Sequence, residues 1–267
     1  MTTHPEHEHA RPENSDHSRH TSAPDHPHDL HDPHGPHDHG GPAGDQGHDG
    51  PHEHHEHDVP EADWFSAAAA TWDDDSHAER SATLAAAIRD AIPLSGKETV
   101  LEVGGGTGLL SRALADDIGT ALVTDVAPGM VEVATQVLDD PRYAGWRTAR
   151  YDVERDPLLA ERFDLVLCQL ALHHMGDVTT VLGRMFELLR PGGRVAVADL
   201  EHDADGGFHR HIEGFHGHHG FTQESLAGGL VGAGFVDVRV AVASELTKEV
   251  DGAERTFPVL LATGRRP

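Results

Sequence analysis

From residue 99 onward, short apolar runs alternate with longer stretches whose apolar positions recur every three or four residues. TVLEV (99–103), TALVTD (120–125), FDLVLC (163–168) and GRVAVADL (193–200) read as strands. TGLLSRALADDIG (107–119), PGMVEVATQVL (128–138), VTTVLGRMFELL (178–189) and QESLAGGLVGAG (223–234) read as helices. Pro128 suits a first helical turn, and Pro191 stops the third helix of this set. An earlier helix, residues 77–91, ends before Pro93. Strands alternating with helices predict an α/β fold, a Rossmann-like doubly wound sheet covered by helices on both faces. The last two strands, FVDVRVAVA (235–243) and TFPVLLATG (256–264), have only a loop containing Asp251 and Gly252 between them, which predicts an antiparallel hairpin. Pro258 cannot donate to a ladder, so pairing in the final strand is expected to begin after it.

Residues 1–58 break this pattern. They hold sixteen of the 25 histidines, with many Asp, Glu, Pro and Gly and almost no apolar side chains beyond Leu30. Such a segment cannot bury enough surface to offset its chain entropy, so a disordered tail is expected before a folded domain of residues 59–267. Histidines two apart among carboxylates (His37/His39, His52/His54, His55/His57) suit loose chelation of Zn²⁺, Ni²⁺ or Cu²⁺. The formal net charge of −26 argues against nucleic acid as a partner. A single cysteine, Cys168, excludes a disulfide framework and any cysteine-based zinc cluster. With no apolar leader and no membrane-length apolar run, a soluble, cytoplasmic protein is expected.

Chemistry concentrates around VLEVGGGTG (100–108), a glycine loop between a strand and a helix. Gly104, Gly106 and Gly108 let the backbone turn tightly and a ligand approach. Leu109 stands where a dinucleotide fingerprint wants its third glycine, which weakens a pyrophosphate reading. Asp125 ends the next strand, where a carboxylate can accept from both hydroxyls of a ribose, although capping the following helix is its blander role. Asp152 follows the third strand and could accept from an adenine amino group or sit solvated in its loop. Glu102, aimed from a core strand into the crevice, is costly unless paired, and a ligand ammonium would be the partner. Ribose acceptors, an adenine acceptor and an acid for an ammonium describe S-adenosylmethionine better than a nicotinamide dinucleotide.

The motifs VLEVGGGTGLLS (100–111), VTDVAPGMV (123–131), YDVERDPL (151–158), FDLVLCQLALHHM (163–175) and LLRPGGRVAVADL (188–200) resemble, in order and spacing, the class I S-adenosylmethionine-dependent methyltransferases, of the small-molecule branch similar to quinone-biosynthesis enzymes. The resemblance implies a seven-stranded sheet with its last strand antiparallel. It also implies that Gly104, Gly106 and Gly108 face the methionyl part of the cofactor and that Asp125 takes the ribose. Val126, Met130, Asp152 and Val153 would edge the adenine, and Gln169 would lie on the cofactor. Met130 serves helix packing equally well.

The acceptor is expected to be a small molecule, its identity and the oligomeric state open. Cys168, inside a strand, reads as core rather than nucleophile. His173 and His174 follow the fourth strand at the ligand-binding edge of such sheets, and His173 is a candidate base or a structural support. GGFHRHIEGFHGHHGF (206–221) resembles a segment that covers the acceptor pocket in a subgroup of these enzymes. There His209 and His219 are the candidates to orient or deprotonate an acceptor, with Phe208, Phe215 and Phe221 as apolar walls. The competing function is a metal-buffering or metal-sensing protein that carries its histidine-rich tail on a methyltransferase fold.

Overall fold

Seven strands, β1 (Thr99–Val103), β2 (Thr120–Asp125), β3 (Arg147–Arg150), β4 (Phe163–Gln169), β5 (Leu189–Leu200), β6 (Val236–Val250) and β7 (Ala253–Arg265), form one sheet in the order β3-β2-β1-β4-β5-β7-β6. The computed structural model describes residues 61–212 and 214–267, so the expected disorder and metal binding of residues 1–58 lie outside the described residues. β1 to β5 pair in parallel, and β7 runs antiparallel to both β5 and β6. This is the α/β sheet with an antiparallel last strand that the alternation predicts.

Period-two alternation assigns each strand residue to one of two helix layers. Val100, Leu165, Leu167, Ala196 and Ala198 pack toward α2 (Asp75–Ala91), α3 (Leu109–Ala113) and α4 (Pro128–Leu138), through Leu84, Ile88, Leu110, Leu114 and Ala134. Leu101, Val103, Val166, Cys168, Val195 and Val197 face α5 (Val178–Leu188) and α6 (Gln223–Gly232), through Val181, Met185, Leu226 and Leu230. Each Val, Leu, Ile or Met among these contributes about 1.5–3 kcal/mol on burial. Glu102 shares the face of Val100, which sends its carboxyl beneath α3 and not into the α5 layer. No helix among the described residues is long and apolar enough to cross a membrane.

Three elements depart from the sequence expectation. α3 covers only Leu109–Ala113, because Gly104, Gly106 and Gly108 hold left-handed φ of +61°, +56° and +82° and no helix can start among them. After Ala113 the chain tightens into three-residue turns, with Leu114 N–H donating to Ser111 O (3.0 Å) and Asp117 N–H to Leu114 O (2.8 Å). β5 starts at Leu189, which pairs with Phe163, and the Pro191–Gly193 stretch is accommodated as a register shift before Arg194. Pairing in β7 begins at Ala253, well ahead of Pro258, which sits opposite Glu245. The proline is tolerated because β5 ends opposite Val259; Pro258 still uses its carbonyl, which accepts from Glu201 N–H at 2.8 Å, and it sits next to a bulge at Val242/Ser244. The hairpin therefore projects beyond the sheet as a two-stranded arm.

Candidate active site

The strand order reverses between β1 and β4, and in open α/β sheets ligands bind outside the carboxyl ends of strands at such a reversal. A cavity of about 1270 Å³ opens there, lined by the glycine loop, the ends of β2 and β4, the β3–β4 loop, α1 (Glu61–Ala68), α2, the covering loop through Phe208, His209, His211, Ile212, His216 and Gly217, and the arm of β6. One wall is made by backbone. Gly106 N–H donates to Asp125 Oδ2 (2.8 Å) and Ala127 N–H to Asp125 Oδ1 (2.9 Å), fixing the carboxylate at the cavity edge. Burial nevertheless raises the Asp125 pKa, opposed by those two donors. A Cβ on Gly104 would stand 2.5 Å from that of Ala171, so the loop packs directly on the turn after β4.

The other residues singled out for the cofactor surround this pair. Val126 is partly exposed in the cavity, and Met130 is buried beneath the loop against Ala69 and Ala127 while still lining the cavity. Asp152 lines it too, with Oδ1 accepting from the N–H groups of Glu154 (2.9 Å) and Arg155 (3.1 Å). Val153 is buried beside it. Gln169 donates through Nε2 to Ser81 Oγ (2.9 Å), and its Oε1 is buried with no partner among the described residues. Glu102 accepts from Ser111 N–H at 3.2 Å beneath the loop, and burial pushes its pKa up to about 7. Cys168 is fully buried, which raises its thiol pKa and removes it from nucleophilic chemistry at neutral pH.

The opposite wall is made by side chains. His173 lies just past Leu170, whose φ of +48° reverses the chain after β4. His173 Nδ1 meets Asp199 Oδ1 at 2.6 Å, and its N–H donates to Asp199 Oδ2 at 3.2 Å. Both side chains are buried. His174 Nδ1 meets Glu61 Oε1 at 2.5 Å. His209 is buried with Nδ1 unpartnered and stacks on Phe215 at 3.8 Å between ring centres. Burial and the neighbouring histidines push its pKa down to about 3, so it is neutral at physiological pH. His219 sits on the outer side of this cluster: it is exposed, its ring packs against Gly206 and lies 5.4 Å from that of Phe215 and 5.9 Å from that of His209, and it is not among the residues that line the cavity. His216 lines it, and His211 contacts Lys248. Of the phenylalanines, Phe208 and Phe215 stand beside His209, while Phe221 is buried in the α5/α6 layer.

Sequence reasoning missed several parts of this wall. Phe65 and Trp72 stand edge to face around the glycine loop, at 5.7 Å. Lys248 donates to Phe208 O at 2.8 Å, and Arg255 grips Asp203 (3.1 Å) and Asp205 (3.0 Å) from β7. The legible trace of Asp199 was an acid inside the apolar run VAVADL. That of Lys248 and Arg255 was weak alternation continuing through ASELTKEV and AERTF.

A Rossmann-like sheet, a glycine loop tied to an acid one strand on, and a covered cavity at the switch point define a nucleoside-binding α/β protein. Residues 101–195 match the family model described as a methyltransferase domain. The biotin biosynthesis bifunctional protein BioCD of Bordetella avium is 38% identical over 143 residues, covering 52% of this chain and 30% of that protein. The ubiquinone biosynthesis O-methyltransferase of Xylella fastidiosa is 35% identical over 117 residues, 42% of this chain and 46% of that one. The matches thus span less than half the length of these two relatives. Among solved structures, the N-methyltransferase NodS of Bradyrhizobium japonicum in complex with S-adenosyl-L-homocysteine superposes with a TM-score of 0.54 at 20% identity, covering 76% of this chain and 97% of that one. Motif match and fold agree: residues 101–195 match a methyltransferase domain, and the sheet that contains them has the fold of the solved N-methyltransferase.

Proposed function

We propose that this chain transfers a methyl group from S-adenosylmethionine to a small-molecule acceptor, with residues 59–267 as the catalytic domain. The observation that carries the reading is the Gly106–Asp125 bond of 2.8 Å, which couples a left-handed glycine loop to a carboxylate at the edge of one cavity. Two backbone donors leave Asp125 with acceptor capacity for vicinal ribose hydroxyls. The buried, unpartnered Oε1 of Gln169 and the side-chain-free loop fit a polar ligand lying over Gly104 to Gly108. Val126, Met130, Asp152 and Val153 would edge the adenine. Glu102 would balance the ligand's ammonium from beneath the loop.

When bound, S-adenosylmethionine supplies an already activated methyl group. The chain's part is to align a nucleophile, exclude water and, for a protonated acceptor, take a proton. His173, oriented by Asp199, and neutral His209 are the candidates for that proton on the cavity side, and His219 would act by ordering the covering loop. The names of the relatives, a ubiquinone biosynthesis O-methyltransferase and an N-methyltransferase, support a small-molecule acceptor without choosing its atom.

Titration calorimetry of the full chain with S-adenosylhomocysteine tests the reading. Asp125→Ala removes two charge-assisted bonds of about 1.5–3 kcal/mol each, so affinity should fall by about a hundredfold or more. No binding by the wild type, or an affinity within threefold in the variant, overturns the proposal.

A further inference from the structure

Three histidines from two distant segments meet on the acceptor wall, and they carry the features of a metal centre. One ring nitrogen from each of His173, His174 and His209 lies within 4.8 Å of the others. The ring centres are 4.0, 5.0 and 6.0 Å apart. An imidazole ligand sets its ring centre about 3.2 Å from a metal, so ligand pairs around one ion stand about 4.5–5.3 Å apart. Sub-ångström adjustment closes the observed triangle onto that spacing.

The surroundings point the same way. Metal-bound histidines almost always donate their second ring N–H to a carboxylate, a backbone carbonyl or water, which fixes tautomer and ring orientation. His173 does so to Asp199 at 2.6 Å and His174 to Glu61 at 2.5 Å, leaving Nε2 free in each. Asp199 also accepts from the N–H groups of His173 and Leu200, so its carboxylate is held rigidly without any lysine or arginine. His209 is 3% exposed and its Nδ1 has no partner, an unpaid polar cost in a buried group. All three histidines line the cavity.

We propose that His173, His174 and His209 bind a divalent transition-metal ion, Zn²⁺ by chemistry, with at least one coordination position open to the cavity. Three neutral imidazoles without thiolate select borderline ions of the Zn²⁺, Co²⁺, Ni²⁺ and Fe²⁺ series over Mg²⁺ and Ca²⁺. Three protein ligands and an open position is the arrangement of reactive rather than structural zinc. An oxygen or nitrogen of the methyl acceptor would take the open position and release its proton to solvent water more readily there, so that with the ion bound His173 and His209 serve as ligands and not as the proton acceptors. That role for the ion rests on the methyltransferase reading; the site does not. It differs from chelation by the N-terminal histidines in having a fixed geometry, two carboxylates behind it and a face on the acceptor.

The test must separate this site from those N-terminal histidines, and thermal unfolding of the full chain does so. Residues that chelate equally in the folded and unfolded chain leave the midpoint unchanged, whereas an assembled site raises it. Chelator-stripped protein should gain about 5 °C or more with Zn²⁺ or Co²⁺ at about a hundred times Kd. With Co²⁺ it should also develop a visible band of the intensity given by four or five ligands. His209→Ala and His174→Ala should each weaken the metal at least tenfold, while His202→Ala, at an exposed residue that does not line the cavity, keeps the shift. His174 is the less buried of the two, so its variant decides if His209→Ala does not fold. A wild-type midpoint unmoved by both ions overturns the site, as does a shift undiminished in His174→Ala. S-adenosylhomocysteine binding, measured on the same samples, reports on the methyltransferase reading independently.

Discussion

On the cofactor wall, the N–H groups of Gly106 and Ala127 hold Asp125 across 19 and 2 residues of chain. On the acceptor wall, His174 is held by Glu61, 113 residues away, and Phe208 by Lys248 across 40. The first wall is backbone in a fixed conformation, closed by short-range bonds that any side chain elsewhere leaves intact. The second is an assembly of side chains from α1, the turn after β4, the covering loop and the projecting arm of β6 and β7. A wall of the first kind keeps one ligand; a wall of the second kind can be rebuilt segment by segment. That difference gives a physical reason for one fold to serve many acceptors.

The sharpest way to break the comparison is to add one methyl group to a left-handed glycine of the cofactor loop and to one of the exposed covering loop. Gly104 and Gly214 have φ of +61° and +70°, so the conformational cost of alanine is about 1–2 kcal/mol at both. At Gly104 the new Cβ meets Ala171 Cβ at 2.5 Å, adding an overpacking cost of about 1–3 kcal/mol; at Gly214 the nearest atom, His216 Nε2, is 4.0 Å away. Gly104→Ala should therefore lose about 3 kcal/mol or more in urea unfolding and impair S-adenosylhomocysteine binding. Gly214→Ala should lose about half as much and bind normally. Equal losses at the two sites would mean that the cofactor wall is not the tightly packed one.

A second comparison uses charge. Glu102 has an ordinary pKa of 4.5, raised to about 7 by burial beneath the loop. Between those values the unfolded chain releases a proton that the folded chain keeps, so the stability present below pH 4.5 is lost as pH rises through 7. At about 1.4 kcal/mol per pKa unit the loss approaches roughly 3 kcal/mol. Glu102→Gln keeps the acceptor for Ser111 N–H and removes the titration. It should match wild type in urea at pH 4 and exceed it by roughly 2–3 kcal/mol at pH 8. A variant that is weaker at both pH values would show that the carboxylate is stabilised by something other than what lies around it in this structure.

The same contrast governs what the sequence makes legible. β1 and β2 run over the residues the apolar pattern assigns, and Asp125 is readable because a strand end and a glycine loop are local signals. Helix α3 is shorter than its pattern because left-handed glycines are a backbone property that apolar spacing does not report. The arm of β6 and β7 escapes because its outer half has one neighbouring strand and weak alternation, so neither a continuous apolar run nor strict period two marks it. The pairing of His173 with Asp199 and of His174 with Glu61 is invisible in principle, since it depends on which chain ends the sheet order brings together. Of the two histidines picked in the covering loop, His209 reaches the cavity and His219 lies at its outside against Gly206. A phenylalanine and a glycine within two residues of each give them the same local signature.

The smallest expected effect isolates the arm. Arg255 bonds both Asp203 and Asp205 from β7, with its guanidinium over Phe257, and so straps the start of the covering loop to the hairpin. The strap is partly exposed, its Arg255 and Asp203 side chains 34% and 11% accessible, and it touches no residue of the cofactor wall, so Arg255→Ala should leave S-adenosylhomocysteine affinity within twofold and lower the unfolding midpoint by only a few degrees. Loop residues released from the strap open more often, and cleavage within 202–221 under limited proteolysis should speed up several-fold. Once an acceptor is found, its KM should rise while kcat holds, because the covering loop then orders on binding and not before. Arg255→Lys, a cation without the forked geometry, should fall between the two. If cofactor affinity drops in parallel with acceptor KM, the two walls are one cooperative unit and the division drawn between them fails.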